Sequence, residues 1–337
     1  MVSHAGKRVN VLFTSAGRRV ELLRAFRQAY SALGLEGNIV VLDIQPLAPA
    51  LQVADRCYMV PHLNSADYIP TLVDICGQEQ IDLIFPLIDP DISVLARHRE
   101  EIEATGAQLA VVPAAAAGKT ADKWLTTEFF RGLGLRTPTS WLPEQLDPTQ
   151  LEYPVFIKPR FGSASQHTYK VRNAHEFAFF SEYVPDPIVQ EFLSGPEITS
   201  DVICSVDSEV LAVVSRQRLE IRSGEVSKGV TIHDPDITKD CIAITRALPA
   251  IGPITVQCMM HNGRPHYTEI NARLGGGIPL AVAAGVDVPA LLLAHAAGLP
   301  RARPALGSYK TGLYMTRFDD SFFLDEAQRE QMASHRL

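Results

Sequence analysis

The chain has 337 residues, 46% hydrophobic and 20% charged, so it can form packed cores and bulk disorder is excluded. This length predicts about two domains. Lys and Arg number 31 against 38 Asp and Glu, a net charge of −7, and without a basic run this argues against nucleic acid as a partner.

Cysteine usage and apolar patterning bear on the compartment. The apolar run Val9–Phe13, interrupted by Asn10, is too short for a signal sequence. The stretch Ile278–Pro300 contains Asp287, His295, three prolines and two glycines, which a transmembrane helix would not carry. We therefore expect a soluble, cytoplasmic protein without a membrane partner. The five cysteines are scattered and never C-x-x-C, which disfavours disulfides and zinc: Cys57, Cys76, Cys204, Cys241 and Cys258.

Residues 8–112 alternate short β-rich runs with helical runs, beginning with RVNVLFT and VELLRAFRQAYSAL. This alternation predicts a parallel sheet with right-handed crossovers, and we assign residues 1–112 to an N-terminal α/β domain. Ligands of such sheets bind at the carboxyl ends of the strands. The candidates for substrate binding at that edge are Arg18, Arg19, Asp89 and Asp91.

Residues 113–150 are interpreted as a connector, with a helix from about Ala121 to Leu133 and a proline-rich loop. PAAAAGKT, residues 113–120, is close to a phosphate-binding P-loop. Proline, however, stands where a glycine should open that loop, and four alanines fill the positions whose bare N–H groups would cradle a phosphate. We therefore reject a P-loop here.

Strand-like runs separated by turns dominate from residue 151 onward, and helices are predicted only around 236–249 and 279–298. This pattern favours an α+β region with antiparallel pairing. We divide it into residues 151–190, residues 191–320 and a C-terminal tail, residues 321–337.

Lys158 lies late in the strand YPVFIKP, where a buried lysine is unusual without an anionic partner. The loop that follows, RFGSAS, is made of small residues whose N–H groups can fold over phosphates. Ser163, Ala164 and Ser165 are therefore candidate phosphate-binding residues.

The strand VQEFL ends at Ser194-Gly195-Pro196 and exposes the backbone of residues 191–193 at an edge. A purine can hydrogen-bond to Glu191, Phe192 and Leu193 there, and Glu197 can accept ribose hydroxyls.

Glu269 and Asn271 are two residues apart on one strand, so their side chains share a face. Gln257 lies on the preceding strand, across the turn His261–Arg264. Three oxygen-bearing side chains in this arrangement suit Mg²⁺. Arg273 shares the face and can hold a transferring phosphoryl group.

Taken in order, these segments resemble the ATP-grasp superfamily, and within it the carbamoyl-phosphate-synthase-like branch, over roughly residues 8–317. The resemblance is carried by TSAGRRVELL, FPLIDPDI, DKWLTTEFFRGLGLRTP, YPVFIKP with FGSAS, IVQEFLSGPE, and GPITVQC with TEINARLGGG. It implies an N-terminal parallel α/β domain, a linker helix, and a two-lobed ATP-grasp fold in which residues 151–190 form the lid and residues 191–320 the core.

The resemblance also implies site residues. Lys123 and Lys158 would contact the ATP phosphates, residues 191–193 the base, and Glu197 the ribose. The implied cofactors are ATP and Mg²⁺, with Mn²⁺ as an alternative metal. Gln257, Glu269 and Asn271 would be the metal ligands, with Arg273 and Lys158 as catalytic residues.

The implied activity is an ADP-forming carboxylate–amine ligase working through an acyl phosphate. Its partners are a small carboxylate and a small amine, and a homodimer is left open. Two alternatives remain: a small-molecule kinase, which would release no amide, and a non-catalytic nucleotide sensor, which would not need the metal ligands. An NAD site is a poorer reading because residues 14–19, TSAGRR, lack G-x-G-x-x-G.

Overall fold

The computed structural model describes residues 7–163, 166–222, 224–300 and 304–334, so Ala164 and Ser165 lie outside the described residues. The described chain contains a five-stranded, a four-stranded and a six-stranded sheet. The predicted order, a parallel α/β domain followed by antiparallel sheets, is confirmed.

The N-terminal sheet is parallel throughout, in the order β3-β2-β1-β4-β5. Strands β1, β2 and β4 are apolar and buried along almost their whole length, because helices cover both faces of a parallel sheet. Its elements are β1 (Val11–Thr14), α1 (Val20–Leu33), β2 (Ile39–Asp43), β3 (Arg56–Met59), α2 (Tyr68–Glu79), β4 (Leu83–Pro86), α3 (Asp89–Arg97), α4 (Arg99–Glu103) and β5 (Gln108–Leu109).

Two helices connect this domain to the rest of the chain: α5 (Ala114–Ala121) and α6 (Lys123–Gly132). The segment close to a P-loop is helix α5, and a continuous helix cannot cradle a phosphate. Asp122 caps α6, since its carboxylate accepts hydrogen bonds from the backbone N–H groups of Trp124 and Leu125. The cap places Lys123 in the first turn of α6.

The four-stranded sheet is antiparallel, in the order β6-β9-β7-β8. It has its own small core of six buried residues: Val155, Ile157, Val171, Phe177, Val184 and Val189. We call this unit the lid. Its elements are β6 (Ser140–Trp141), β7 (Val155–Pro159), β8 (Tyr169–Val171), α7 (Ala174–Tyr183) and β9 (Pro187–Glu191).

The six-stranded sheet, in the order β14-β13-β10-β11-β12-β15, forms the base of the molecule's site. One face buries Ile198, Val202 and Cys204 of β10 against Ile237 and the rest of α8. Alternate residues of β10 point to the other face. Its elements are β10 (Glu197–Cys204), β11 (Val210–Arg222), β12 (Glu225–Ile232), α8 (Pro235–Ala247), β13 (Ile254–His261), β14 (Arg264–Asn271) and β15 (Tyr314–Thr316).

The helix predicted over 279–298 is two helices, α9 (Ile278–Ala283) and α10 (Val288–Ala296). Gly285, with φ of +101°, breaks the helical path between them. In the tail, helix α11 (Glu326–Ser334) places Met332 beside Cys57 of β3. None of the helices in the described ranges is both long and apolar enough to cross a membrane.

The separate lid core leads to a prediction about local stability. The backbone amides of β7 and β8 should exchange hydrogen at least about tenfold faster than those of β1 and β2, which lie within the two large cores. Peptide-level hydrogen exchange measures this, and a nonhydrolysable ATP analogue with Mg²⁺ should slow the lid peptides selectively. Equal slowing of β1 and β2 would mean general tightening and contradict a mobile lid.

Candidate active site

The predicted metal ligands lie side by side on the open face of the six-stranded sheet. Gln257 of β13 pairs directly with Glu269 of β14, and Thr255 pairs with Asn271. Directly opposed residues of an antiparallel pair project to the same face. The structure therefore brings Gln257, Glu269 and Asn271 together.

Between this face and the lid lies a cleft of about 450 Å³, which we call the main cleft. It gathers residues from α6, the lid, the β9–β10 connection and the six-stranded sheet. The predicted residues that line it are Lys123, Lys158, Ser163, Glu191, Phe192, Leu193, Glu197, Gln257, Glu269, Asn271 and Arg273. Lid residues that sequence reasoning missed, Gln166, His167 and Thr168, also line it.

Lys158 is the most strongly perturbed cation of the main cleft. Burial lowers the pKa of its ammonium to about 8, Glu269 opposes this shift, and Lys123 adds to it. Lys123 is also buried, and its Nζ donates to the carbonyl oxygen of Gly162 at 2.8 Å. Two buried ammonium groups in one cleft favour an anionic ligand, which would offset their desolvation.

The lid loop is tied to the start of α6 by a charged pair. The Arg160 guanidinium donates to the Asp122 carboxylate, with Nη2 to Oδ2 at 2.5 Å, and the backbone N–H of Lys123 donates to the Arg160 carbonyl. Asp122 is 4% exposed, whereas the Arg160 side chain is partly open to water. Asp122 thus caps α6 and also positions the loop that begins at Arg160.

A second cavity of about 160 Å³ adjoins the main cleft, and we call it the arginine cavity. Arg216 and Arg218 of β11 line it together with Arg273 and Arg19. Sequence reasoning missed Arg216 and Arg218. The signal for them in the sequence is SRQR, in which arginines alternate directly after an apolar run in β11. Alternate residues of a strand share a face, so both guanidinium groups lie on one face of the sheet.

Arg216 is buried and ion-paired with Asp201 of β10. Gly275 and Gly277 lie close to this pair, whereas Gly276 lies close to Arg19 and Glu225. A Cβ built on Gly277 would lie 2.1 Å from Arg216 Cζ, and one on Gly275 would lie 2.4 Å from Asp201 Oδ1. Gly275 and Gly277 therefore allow the backbone to close over a buried charged pair.

The arginine cavity carries polar atoms without partners. The Nε–H donors of Arg216, Arg218 and Arg273 and the Oγ1 of Thr199 are buried and have no hydrogen-bond partner within the described residues. Buried donors are rarely left unpaired. Three guanidinium donors at one cavity fit a ligand rich in acceptor oxygens, such as a carboxylate or a phosphate.

Two of the four predicted substrate residues contribute to these cavities. Arg19 lies 3.1 Å from the Glu225 carboxylate, and burial lowers the pKa of Arg19 to about 10. Asp89 accepts from Arg273 Nη2 at 2.8 Å. Glu225, which sequence reasoning missed, is also close to Arg317, at 3.3 Å.

The structure places the other two predicted substrate residues outside these cavities. Arg18 is exposed and lines neither the main cleft nor the arginine cavity. Asp91 is 0% exposed, and its carboxylate accepts a hydrogen bond from Thr14, so it belongs to the interior of the N-terminal domain. Burial raises the pKa of Asp91 to about 6. Sequence position gave the strand edge correctly but not the direction of each side chain.

The loop after β1 offers no open phosphate site. The Gly17 N–H donates to Asp43 Oδ2 at 2.8 Å, and the Gln45 N–H donates to Asp43 Oδ1 at 2.9 Å. A carboxylate of the protein therefore takes the N–H donor that a dinucleotide phosphate would use, which agrees with the missing glycine pattern.

The oxygen donors of the main cleft fit Mg²⁺ in a specific way. Gln257, Glu269 and Asn271 supply one carboxylate and two amide oxygens. No three His, Cys, Asp or Glu side chains within the described ranges form a group that could hold a metal ion. Because Mg²⁺ is commonly held by one or two carboxylates plus substrate phosphates, these residues fit a metal that arrives with a nucleotide.

Two models of known protein families match separate parts of this chain. Residues 11–110 match the PylC-like N-terminal domain, and residues 120–277 match the ATP-grasp domain. The ATP-grasp match ends at Gly277, the last glycine of the loop that closes over Arg216.

Curated relatives share segments of this chain. The carbamoyl phosphate synthase large chain of Thermomicrobium roseum is 22% identical over 286 residues, 75% of this chain and 25% of that protein. The D-alanine–D-alanine ligase of Marinomonas sp. is 36% identical over 100 residues, 27% of this chain and 32% of that protein. The chain thus spans about a quarter to a third of the length of these two relatives.

Solved structures share the fold at low identity. N5-carboxyaminoimidazole synthetase from Staphylococcus aureus, complexed with ADP, has a TM-score of 0.70 at 15% identity, covering 91% of this chain and 80% of that one. The L-amino acid ligase from Bacillus licheniformis has a TM-score of 0.65 at 19% identity, covering 87% of this chain and 75% of that one.

Gly277→Ala should destabilise the protein, because the new methyl group would displace the Arg216 guanidinium from buried Asp201. We expect a loss of about 1–3 kcal/mol in the free energy of unfolding, measured by urea denaturation. Gly118→Ala on α5 is the matched control, since its Cβ would meet nothing within 4 Å. An unchanged urea midpoint for Gly277→Ala would contradict the packing argument.

Lys158→Met should stabilise the free protein at pH 7 while weakening ATP binding at least about tenfold. The unfolded chain holds its proton up to about pH 10.4, whereas folded Lys158 releases it near pH 8. Between about pH 8 and about pH 10.4 the unfolded chain binds more protons at this lysine than the folded chain does. The free energy of unfolding of wild type therefore rises with pH in this range, relative to that of the variant. The difference in Tm, about 2 °C or more at pH 7, should shrink as pH rises through this window. If Lys158→Met were less stable than wild type at pH 7, this would contradict the claim that the buried Lys158 ammonium destabilises the free protein.

Proposed function

We propose that this chain, whose residues 120–277 match the ATP-grasp domain, is an ATP-dependent ligase that joins a small carboxylate to a small amine and releases ADP and phosphate. The observation that carries the proposal is the adjacency of two sites. The main cleft combines buried lysines with oxygen donors, and the arginine cavity beside it shares Ser163, Gln257, Asn271 and Arg273 with it. A nucleotide and a second anion would therefore meet at these shared residues.

ATP is the substrate proposed for the main cleft. Lys123 and Lys158 are proposed to contact its phosphates, as their burial without an anionic ligand supports. The base would lie against residues 191–193. Glu197 would contact the ribose, although it also pairs with Arg218 at 2.7 Å, so that only part of its carboxylate is available.

Gln257, Glu269 and Asn271 are the residues proposed to hold Mg²⁺. When bound, the metal would neutralise charge on the phosphates and so favour phosphoryl transfer. Strand pairing sets the backbone positions of Gln257 and Glu269 opposite each other, and the Asn271 side chain lies 3.5 Å from Arg273 Nη2.

The arginine cavity is proposed to bind the carboxylate substrate. One oxygen of that carboxylate attacks the γ-phosphorus of ATP, the bond from phosphorus to the bridging oxygen breaks, and ADP leaves with the electron pair. Arg273, between the two cavities, would stabilise the negative charge on the transferred group. The product of this step is an acyl phosphate.

The second step forms the amide. The amine attacks the acyl carbon, a carbon–nitrogen bond forms, and phosphate leaves with the electrons of the carbon–oxygen bond and with one proton from the amine nitrogen. Because water would also attack an acyl phosphate, the lid must close during this step.

Homodimerisation of the chain stays a prediction.

The test is an assay of the purified protein with Mg²⁺, ATP and a panel of carboxylates, alone and with amines. A ligase gives ADP, phosphate and a product whose mass equals both substrates less one water. A phosphorylated product without free phosphate would indicate a kinase instead. Nucleotide binding without ADP formation from any pair would favour a sensor and contradict the proposal.

Arg19→Ala should raise the KM for the carboxylate substrate about tenfold or more, because a charged hydrogen bond contributes about 1.5–3 kcal/mol. The KM for ATP should stay within twofold, since Arg19 lines the arginine cavity but not the main cleft. Arg18→Ala is the matched control, because Arg18 is exposed and lines neither cavity. Equal effects of the two variants would remove Arg19 from the substrate site.

A further inference from the structure

A third cavity, of about 130 Å³, lies between the start of α3, helix α5, the lid loop and β14. We propose that it binds the amine substrate, as a small primary ammonium with a short aliphatic part. This inference rests on the proposed function and adds the substrate class of a separate site. The lining residues that this cavity does not share with the main cleft or the arginine cavity have no function assigned to them above.

The charges of the third cavity favour a cation. Its lining contains two carboxylates, Asp89 and Glu269, and a single cationic side chain, Lys123. The Lys123 ammonium donates to the carbonyl oxygen of Gly162, and the Asp89 carboxylate accepts from Arg273 Nη2 at 2.8 Å. The arginine cavity has the opposite balance, with four arginines and two carboxylates in its lining. The two small cavities are therefore complementary to the two charged groups that a carboxylate–amine ligase must bind.

Five of the other lining residues are alanine or isoleucine, and four are polar: Ser93, Thr120, Ser163 and Asn271. The apolar five are Ala117 and Ala121 of α5, Ile92 of α3, and Ile270 and Ala272 around the end of β14. These side chains offer few hydrogen-bond partners to water and suit a short hydrocarbon chain. A cavity of about 130 Å³ has no room for a large amine.

The position of the third cavity matches the chemistry. It shares Asp89, Ser163 and Asn271 with the arginine cavity, and Lys123, Glu269 and Asn271 with the main cleft. An amine held there would lie next to both the carboxylate substrate and the phosphate end of ATP. The lid loop residues Phe161–Ser163 form part of the wall, so lid closure would also close this cavity.

The amine must lose a proton before it attacks. Asp89 is the carboxylate that borders both small cavities, and its Oδ2 is held at 2.8 Å from Arg273 Nη2. In the proposed step one ammonium proton passes to a carboxylate oxygen of Asp89, the nitrogen lone pair forms the bond to the acyl carbon, and the carbon–oxygen bond to phosphate breaks. The second proton passes from the nitrogen to the departing phosphate, which leaves as hydrogen phosphate. No oxidant or further reactant is required.

The direct test uses saturation-transfer NMR with ethylammonium and acetate as probes, on the full chain with Mg²⁺ and a nonhydrolysable ATP analogue. Ala121→Leu places a larger side chain at the wall of the third cavity, and residue 121 is exposed enough to accept it. Ala115→Leu, exposed on the same helix and outside the lining, is the matched control. Ser93→Leu narrows the cavity from α3.

Ala121→Leu and Ser93→Leu should each reduce ethylammonium binding about tenfold or more and leave acetate binding within twofold, while Ala115→Leu should change neither. Arg19→Ala should weaken acetate binding and spare ethylammonium. Absence of ethylammonium binding to wild type, or retained binding in both plugged variants, would overturn the assignment.

A second readout separates this inference from the proposed function. Once the panel assay identifies a ligated pair, the plugged variants should raise the KM for the amine about tenfold and leave the KM for ATP unchanged. Ligation with an unchanged amine KM would overturn the amine site while the ligase function stands. Ethylammonium binding that is lost on plugging, with no ligation by wild type for any pair, would support the cation site and contradict the ligase.

Discussion

One row of polar side chains crosses four neighbouring strands of the six-stranded sheet, and the other parts of the site are arranged around it. Arg216, Thr199, Gln257 and Glu269 are directly paired from strand to strand. The opposite face of the same strands is apolar and packs on α8. Register thus fixes which residues meet, because a slip of one residue would send every one of them into the core.

The site concentrates charge where burial makes charge unfavourable. Lys123, Lys158 and Arg216 are each less than 10% exposed. Only Arg216 has a buried carboxylate partner, Asp201. Among the described residues the two lysines have no such partner, and burial lowers the pKa of Lys158. An incoming polyphosphate would supply the missing negative charge, so the free protein is organised for a ligand at a cost in its own stability.

Fold class and most of the main cleft were predictable from the sequence. Continuous apolar strands between helices indicated the parallel sheet, and alternation on one strand placed Glu269 and Asn271 on one face. These are local patterns, and they need only the periodicity of a strand. The near-P-loop starts at Pro113, and helix α5 begins directly after this proline.

The remaining features depend on packing between distant segments, which a local pattern does not contain. Arg19 and Arg18 are adjacent, yet only Arg19 reaches Glu225, because the turn before α1 directs the two side chains differently. Asp91 and Asp89 are two residues apart, yet Asp91 turns inward to Thr14. The role of Gly277 follows from Arg216, some 60 residues earlier in the chain.

The proposed ligase activity requires a magnesium-dependent nucleotide site on the row of polar side chains that contains Glu269. The most direct measurement is calorimetric titration of wild type and Glu269→Gln with ADP, each with and without Mg²⁺. Mg²⁺ should tighten ADP binding to wild type about tenfold or more, and this gain should be lost in Glu269→Gln, whose metal-free affinity stays near that of wild type. ADP affinity that is independent of Mg²⁺, or a full magnesium effect in Glu269→Gln, would contradict the assignment.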